Sequence, residues 1–437
     1  MHERTSPYQK TNYFMLLVCI IYATCMNLVP FLGRTAEVII LFSIYVIFKR
    51  SDYKIFNDSL FRIALLSILV IISSWVNISI IDPNLAAKVP DLRYFLRLFL
   101  FIPIAYWLGG NIRNINIILL ASATAIILST FTRGDGLSEW LIGLNGERVD
   151  FKIINAQHTT FFMALILLGT ITYYIPTIIK SWRKLSHTQK AIHTITILIL
   201  SSLSFVGALI SQTRGIWLAL SISLLVIAVP YTFKFKFKFK FKKMKKKRII
   251  ATILISIPVL TTAILYSPLE RIFYQRISME NNVFSQFISN GVDNLPYSSI
   301  GIRLHSWNEA LKWIETRPII GSGELAKSAV IQNSNFPEEI KHNFRHLHNY
   351  YLETIVCYGF VGLFLLILIY IILSKKIISL WEQYRELSNL ALYCMCAMVL
   401  FIFANLFESY NSMWSGWVAN NVIFATIYSF HIHKKVE

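Results

Sequence analysis

Charge is scarce in this chain, and acidic charge is the scarcest. There are 23 Asp and Glu against 42 Lys and Arg, together 15% of 437 residues. A soluble chain of this length would form two or three domains with about a quarter of its residues charged. A hydrophobic fraction of 55% and a mean hydropathy of +0.55 exclude that class and describe a polytopic membrane protein. Cysteine is also sparse. Cys19, Cys25, Cys357, Cys394 and Cys396 all sit in apolar runs with no C-x-x-C pair, which argues against a disulfide framework or a thiolate zinc site. The first apolar run ends in Asn27–Pro30 without a small-residue cleavage site, so it reads as a retained helix rather than a removed signal.

Long apolar runs are what the chain does have. About twelve approach the length that crosses a bilayer: 13–32, 35–48, 60–81, 92–110, 114–131, 157–175, 191–210, 215–231, 249–266, 350–373, 390–408 and 412–430. The second is short and carries Glu37. The fold class expected is an all-α polytopic membrane protein. Lys and Arg fall in alternate connections, at 49–54, 113, 180–190, 234–248, 375–385 and 434–435. By the positive-inside rule this predicts cytoplasmic N- and C-termini.

The tract from 233 to 243 alternates Phe and Lys and supplies much of the net charge of +19. It reads as a cytoplasmic loop, within 232–248, held at anionic membrane lipids. The basic balance therefore does not imply a nucleic-acid partner. On the opposite side, 132–156 is an irregular glycine-bearing loop, and 267–349 is long enough for a small extramembrane unit. The expected organisation is thus nine spans in 1–266, the large loop 267–349, and three spans with the C-terminus in 350–437. In the large loop, Leu304, Trp307, Leu311 and Ile314 recur at helical spacing, and Pro318, Gly321 and Gly323 end the helix.

Chemistry is expected between Arg303 and Gly362. His346 and His348 are two apart, and in an extended segment they point to opposite sides, so one of them faces any given site. A neutral His348, at the mouth of the helix that follows Asn349, suits deprotonation of a bound hydroxyl. The plainer alternative is a loop histidine beside an Asn helix cap. His342, His346 and His348 lack a nearby Asp or Cys to close a metal set, so no metal is expected.

Arg214 lies in a short outer hairpin, Arg303 opens the amphipathic helix, and Arg97 falls inside the fourth expected span. Guanidinium groups at one outer cavity suit an anionic ligand, because their fork matches phosphate oxygens. Anchoring at headgroups for Arg214 and snorkelling for Arg97 are the alternatives. Glu408 is expected to pair with one of these arginines or to end its helix exposed. A base beside arginines on the outer face fits transfer from a lipid-linked diphosphate donor, with the arginines holding the diphosphate.

Several motifs carry a resemblance. They are T-R-G-I-W at Thr213–Trp217, R-x3-W-x2-A-x7-P-x2-G-x-G at Arg303–Gly323 and H-N at His348–Asn349. G-x2-G at Gly359–Gly362 and N-x-F-E at Asn405–Glu408 complete the set. Together with the span count they resemble the O-antigen ligase family, whose wider superfamily includes O-antigen polymerases and protein O-oligosaccharyltransferases.

The resemblance implies a GT-C-like glycosyltransferase in the inner membrane of a Gram-negative cell. It implies a periplasmic site, undecaprenyl-diphosphate-linked O-antigen as donor and lipid A–core as acceptor. It also implies inversion at the anomeric carbon and no cofactor. By the same resemblance His348 is the base, Arg214 and Arg303 engage the diphosphate, and Arg97, Arg148, Asn349 and Glu408 contact substrate. A polymerase of the same superfamily and a transporter of lipid-linked sugar are the alternatives. A transporter favours charge pairs at mid-membrane, whereas here most charges lie at helix ends.

Overall fold

The computed structural model describes residues 7–51, 54–232, 286–287, 291–292 and 295–436. No strand occurs among them, and the chain is an all-α polytopic membrane protein. Its helices are α1 Pro7–Leu28, α2 Pro30–Arg50, α3 Ser59–Ile81, α4 Arg93–Leu96, α5 Phe101–Leu108 and α6 Ile112–Thr132. Next come α7 Leu137–Leu144, α8 Ala156–Gly169, α9 Ile175–Ser181, α10 His187–Ile210 and α11 Arg214–Thr232. Then follow α12 Ser299–Thr316, α13 Ala326–Gln332, α14 Glu338–Asn343, α15 Tyr350–Gln383, α16 Ser388–Ala404 and α17 Trp414–Val436. Eight of the described helical segments are long and apolar enough to cross a membrane. The expected span at 249–266 and the Phe-Lys tract lie outside the described residues.

The fourth expected span does not form one helix. Residues 92–110 divide into α4, a 3-10 turn at Arg97–Phe99, and α5. Apolar composition alone cannot reveal this break, because its backbone is satisfied from elsewhere. The Asn421 side chain accepts from the Phe101 N–H at 3.0 Å and donates to the Arg97 carbonyl at 2.7 Å. An irregular backbone at membrane depth persists only where protein supplies such partners. Asn421 sits on α17, which packs along α5 and is buried over nearly all its length from Trp414 to Ser429. A helix surrounded by protein rather than lipid can carry Asn420, Asn421 and Ser415 inward, which lowers its hydropathy.

A second break lies within α15 itself. At Gly359 within α15 the backbone takes φ 66° and ψ −170°. The loop Pro318–Gly323 lies against that break and pairs with it in both directions. Phe360 and Val361 N–H groups donate to the Pro318 and Ile319 carbonyls, while Ser322 and Gly323 N–H groups donate to Val356 and Cys357. A Cβ on Gly359 would stand 2.0 Å from the Ile319 oxygen, and one on Gly321 2.5 Å from Cys357 C. Both glycines have positive φ, so only glycine permits this close approach. The P-x2-G-x-G and G-x2-G motifs are therefore two halves of one joint.

The joint fastens a small outer unit to α15. Ala310, Ile314, Ala326, Val330, Ile331, Phe336, Leu347, Ile355 and Val356 form its apolar core, separate from the main bundle core. Within that core, Leu347 is the residue between the two histidines.

Candidate functional site

The site is built on Leu347. Its side chain is fully buried in the outer core, its carbonyl accepts from Trp307 Nε1 at 2.9 Å, and its N–H donates to Glu353 Oε1 at 3.0 Å. One residue on, His348 adopts φ 51° in the left-handed region, which a non-glycine residue enters rarely and at a cost. Asn349 then caps α15, accepting from the Tyr351 and Leu352 N–H groups.

This turn overturns the expectation that the two histidines face opposite ways. With Leu347 plugged into the core and His348 turned back, both imidazoles reach one carboxylate. His346 Nε2 lies 2.9 Å from Glu408 Oε1, and His348 Nδ1 lies 3.0 Å from Glu408 Oε2. The two ring centroids are 4.0 Å apart. The alternation rule holds for extended backbone, and a single left-handed residue breaks it.

Glu408 is also unlike its expected form. It is wholly buried, and its partners are two imidazoles, the Gln157 amide at 2.8 Å and the Ser409 N–H at 2.9 Å, rather than an arginine. Burial would raise its pKa, but the two imidazole hydrogen bonds outweigh that and hold it well below the usual carboxylate range. The imidazoles respond in opposite senses. Burial pulls His346 down, yet its hydrogen bond to Glu408 and the charge there carry it above the ordinary histidine value. His348 ends below that value, because burial dominates and the His346 and Arg303 charges add to it. The arrangement favours a charged His346, an ionised Glu408 and a neutral His348.

A neutral His348 that donates through Nδ1 has its lone pair on Nε2. That atom is buried and makes no hydrogen bond among the described residues. A carboxylate fixing one ring nitrogen while the other is left as an acceptor is the geometry of a general base.

Supporting contacts come from four further elements. Gln157 and His158 open α8 beneath the Asn155 cap. The Gln157 carbonyl accepts from Tyr410 at 3.2 Å, and His158 Nδ1 meets Ser415 Oγ at 2.5 Å. Glu353 Oε1 accepts from Ser409 Oγ at 2.6 Å, which ties the start of α15 to the loop after α16. Tyr350 N–H donates to the Asn405 carbonyl across the same seam. Sequence reasoning missed Gln157, His158, Glu353 and Ser409. For Gln157, His158 and Glu353 the available signal was a polar residue in the first turn of an otherwise apolar helix.

The arginines divide into two groups. Arg303, on the first turns of α12, is close enough for its charge to act on His348, and with Arg148 on the Tyr410 hydroxyl. Arg148 Nε donates to the Ser211 carbonyl at 3.4 Å, in the turn that precedes Arg214. Arg214 opens α11, and its neighbour Gly215 packs on Phe407, the residue before Glu408. The structure thus brings the backbone turns bearing Arg148 and Arg214 to the loop bearing Glu408. Arg97 is engaged elsewhere. It pairs with Glu37 at 2.8 Å and lies over the Trp417 ring at 4.4 Å. A buried acid in α2, which made that helix an uncertain span, is thereby neutralised.

Residues 199–367 match the family model described as O-antigen ligase. Over that stretch, less than half of its length, the chain is similar to the O-antigen ligase family. None of the curated proteins compared matches it. The eight apolar helices make a membrane the setting. The matched region contains Arg214, Arg303, His346, His348 and the Gly359 joint, whereas Glu408, Gln157 and Arg148 lie outside it.

His346, His348 and Glu408 also present three atoms within 4.8 Å of one another, close enough to gather round a cation. The chemistry of the donor set argues for another use. Both nitrogens point directly at carboxylate oxygens at hydrogen-bonding distance, and a cation would require both to lose their protons. The set reads as a proton-linked cluster.

Proposed function

We propose that this protein is an O-antigen ligase, moving polysaccharide from undecaprenyl diphosphate onto a terminal sugar of lipid A–core. The site faces the periplasm of a Gram-negative inner membrane, with both termini in the cytoplasm and the unit around 295–349 on the periplasmic side. The observation that supports this best is the buried Nε2 of His348, held as an acceptor by Glu408.

In the reaction the acceptor hydroxyl attacks the anomeric carbon, inverting it. The new carbon–oxygen bond forms as the bond from that carbon to the diphosphate oxygen breaks. His348 Nε2 takes the hydroxyl proton, and Glu408 stabilises the imidazolium that results. Arg214 and Arg303, with Arg148 beside them, hold the diphosphate and stabilise the charge developing on the leaving group. Phe344 stands edge-on to His348, with ring centroids 5.7 Å apart. Asn349 acts through the cap that places His348, and Arg97 through the Glu37 pair that steadies the helix break.

A lipopolysaccharide gel of a deletion strain tests the reading. Loss of all long chains, with lipid-linked polymer accumulating, is the expected result. A single capped repeat on core would instead identify a polymerase of the same superfamily.

A further inference from the structure

His346 has no part in the proton transfer just described, yet it holds one full side of the carboxylate. Glu408 Oε1 accepts from His346 Nε2 and the Ser409 N–H, and Oε2 from His348 Nδ1 and the Gln157 amide. Four donors on one buried carboxylate leave it no freedom to rotate. Remove His346, and Oε1 keeps a single donor on the adjacent residue of its own loop.

We propose that His346 is a positioning residue, a charged clamp on Glu408 that keeps His348 neutral and in the tautomer with its lone pair on Nε2. The inference rests on the reading of His348 as the base. Three observations carry it. The two imidazoles bind opposite oxygens of one carboxylate, so neither competes for the other's partner. The rings lie 4.0 Å apart, where a cation on one opposes a cation on the other. The side chain of His346 is the more exposed of the two, 25% against 13%, so its charge is the less costly to keep.

Other ionisable groups around the pair are consistent with this. Glu353 at the start of α15 favours a charged His346, and Lys327 on α13 opposes it. Arg303 on α12 opposes a charge on His348. His158 on α8 sits within the field of Glu408 and both histidines. Tyr410 is held neutral by burial and by the Glu408 charge. The asymmetry between the histidines therefore arises from several elements and not from Glu408 alone.

The test uses the purified full-length protein with a polyprenyl-diphosphate-linked oligosaccharide and lipid A–core, comparing wild type, His346→Leu and His346→Gln. For His346→Leu the expected result is a fall in kcat of about 10²-fold with little change in KM. The acid limb of its pH–rate profile should also move upward by about one unit, because His348 loses a neighbouring cation and gains the whole of Glu408. His346→Gln restores a neutral donor and should recover part of kcat while leaving the acid limb displaced. A merely structural role would lower kcat in both variants without moving that limb, and would overturn the proposal. So would a rise in KM for the donor at unchanged kcat, which would make His346 a direct substrate contact.

Nitrogen NMR of labelled histidine on the same samples is independent of turnover. It is expected to show His348 Nδ1–H in wild type and a mixture or imidazolium in His346→Leu. An unaltered His348 signal overturns the clamp. Absence of transfer by wild type, with the NMR change intact, would overturn only the function on which the clamp rests.

Discussion

His348 donates to Glu408 across 3.0 Å although the two are 60 residues apart, and the seam between them is closed by one backbone and one side-chain hydrogen bond. Tyr350 N–H meets the Asn405 carbonyl, and Ser409 Oγ meets Glu353. The proposed base and its carboxylate are thus fixed by the docking of α15 on the loop after α16.

Replacing Glu408 by Gln keeps the volume but puts an amide N–H where one imidazole now finds an acceptor. His348 loses its preference for the Nδ1–H tautomer. The expected outcome is a kcat loss of about 10²- to 10⁴-fold at unchanged donor KM, read by steady-state kinetics on purified protein. A variant within threefold of wild type would show that Glu408 does not orient the base.

The wild-type pH profile follows from the direction of the His348 shift. A base must be deprotonated to act, so the rate falls as pH drops through its pKa. Because burial and neighbouring cations hold His348 below the ordinary histidine value, the acid limb should lie below about pH 6.5. An acid limb above that value would assign the titration to His346 or to another group.

Much of this architecture is legible in the sequence, though unevenly. Hydropathy locates α1, α3, α6, α10 and the start of α15, because those helices face lipid and must be apolar. It fails at 92–110, where Asn421 supplies the hydrogen bonds that a broken backbone needs, from a residue more than 300 positions away. At the site, His348 and Arg303 stand out in the sequence because they interrupt apolar surroundings. Glu408 is visible, but its partners are not. That it meets two imidazoles instead of a guanidinium depends on a single left-handed residue, and φ at a histidine leaves no pattern in sequence.

The joint at Gly359 separates stability from chemistry. Gly359→Ala places a Cβ against the Ile319 carbonyl in a backbone region costly to any side chain, of order 1–3 kcal/mol before the clash is added. The outer unit should loosen from α15, lowering the thermal midpoint and increasing proteolysis within 300–345. Protein that retains wild-type protease resistance would show that the loop Pro318–Gly323 is not held by this break.

The arginines are distinguished by shape as well as charge. Arg214→Lys and Arg303→Lys keep the positive charge but lose the fork that, in the proposed reaction, grips two phosphate oxygens. Each should reduce kcat/KM for the lipid-linked donor by about tenfold or more, as expected when a charge-assisted hydrogen bond is lost. Arg97→Lys should leave donor kinetics near wild type, because Arg97 meets Glu37 and Trp417. Equal losses in all three would place Arg97 in the donor site.

The most direct measurement of the central claim is single-turnover transfer by purified His348→Ala beside wild type, with saturating lipid-linked donor and lipid A–core. The expected rate is lower by about 10²- to 10⁴-fold with donor binding retained. A variant that transfers within tenfold of wild type would contradict His348 as the base.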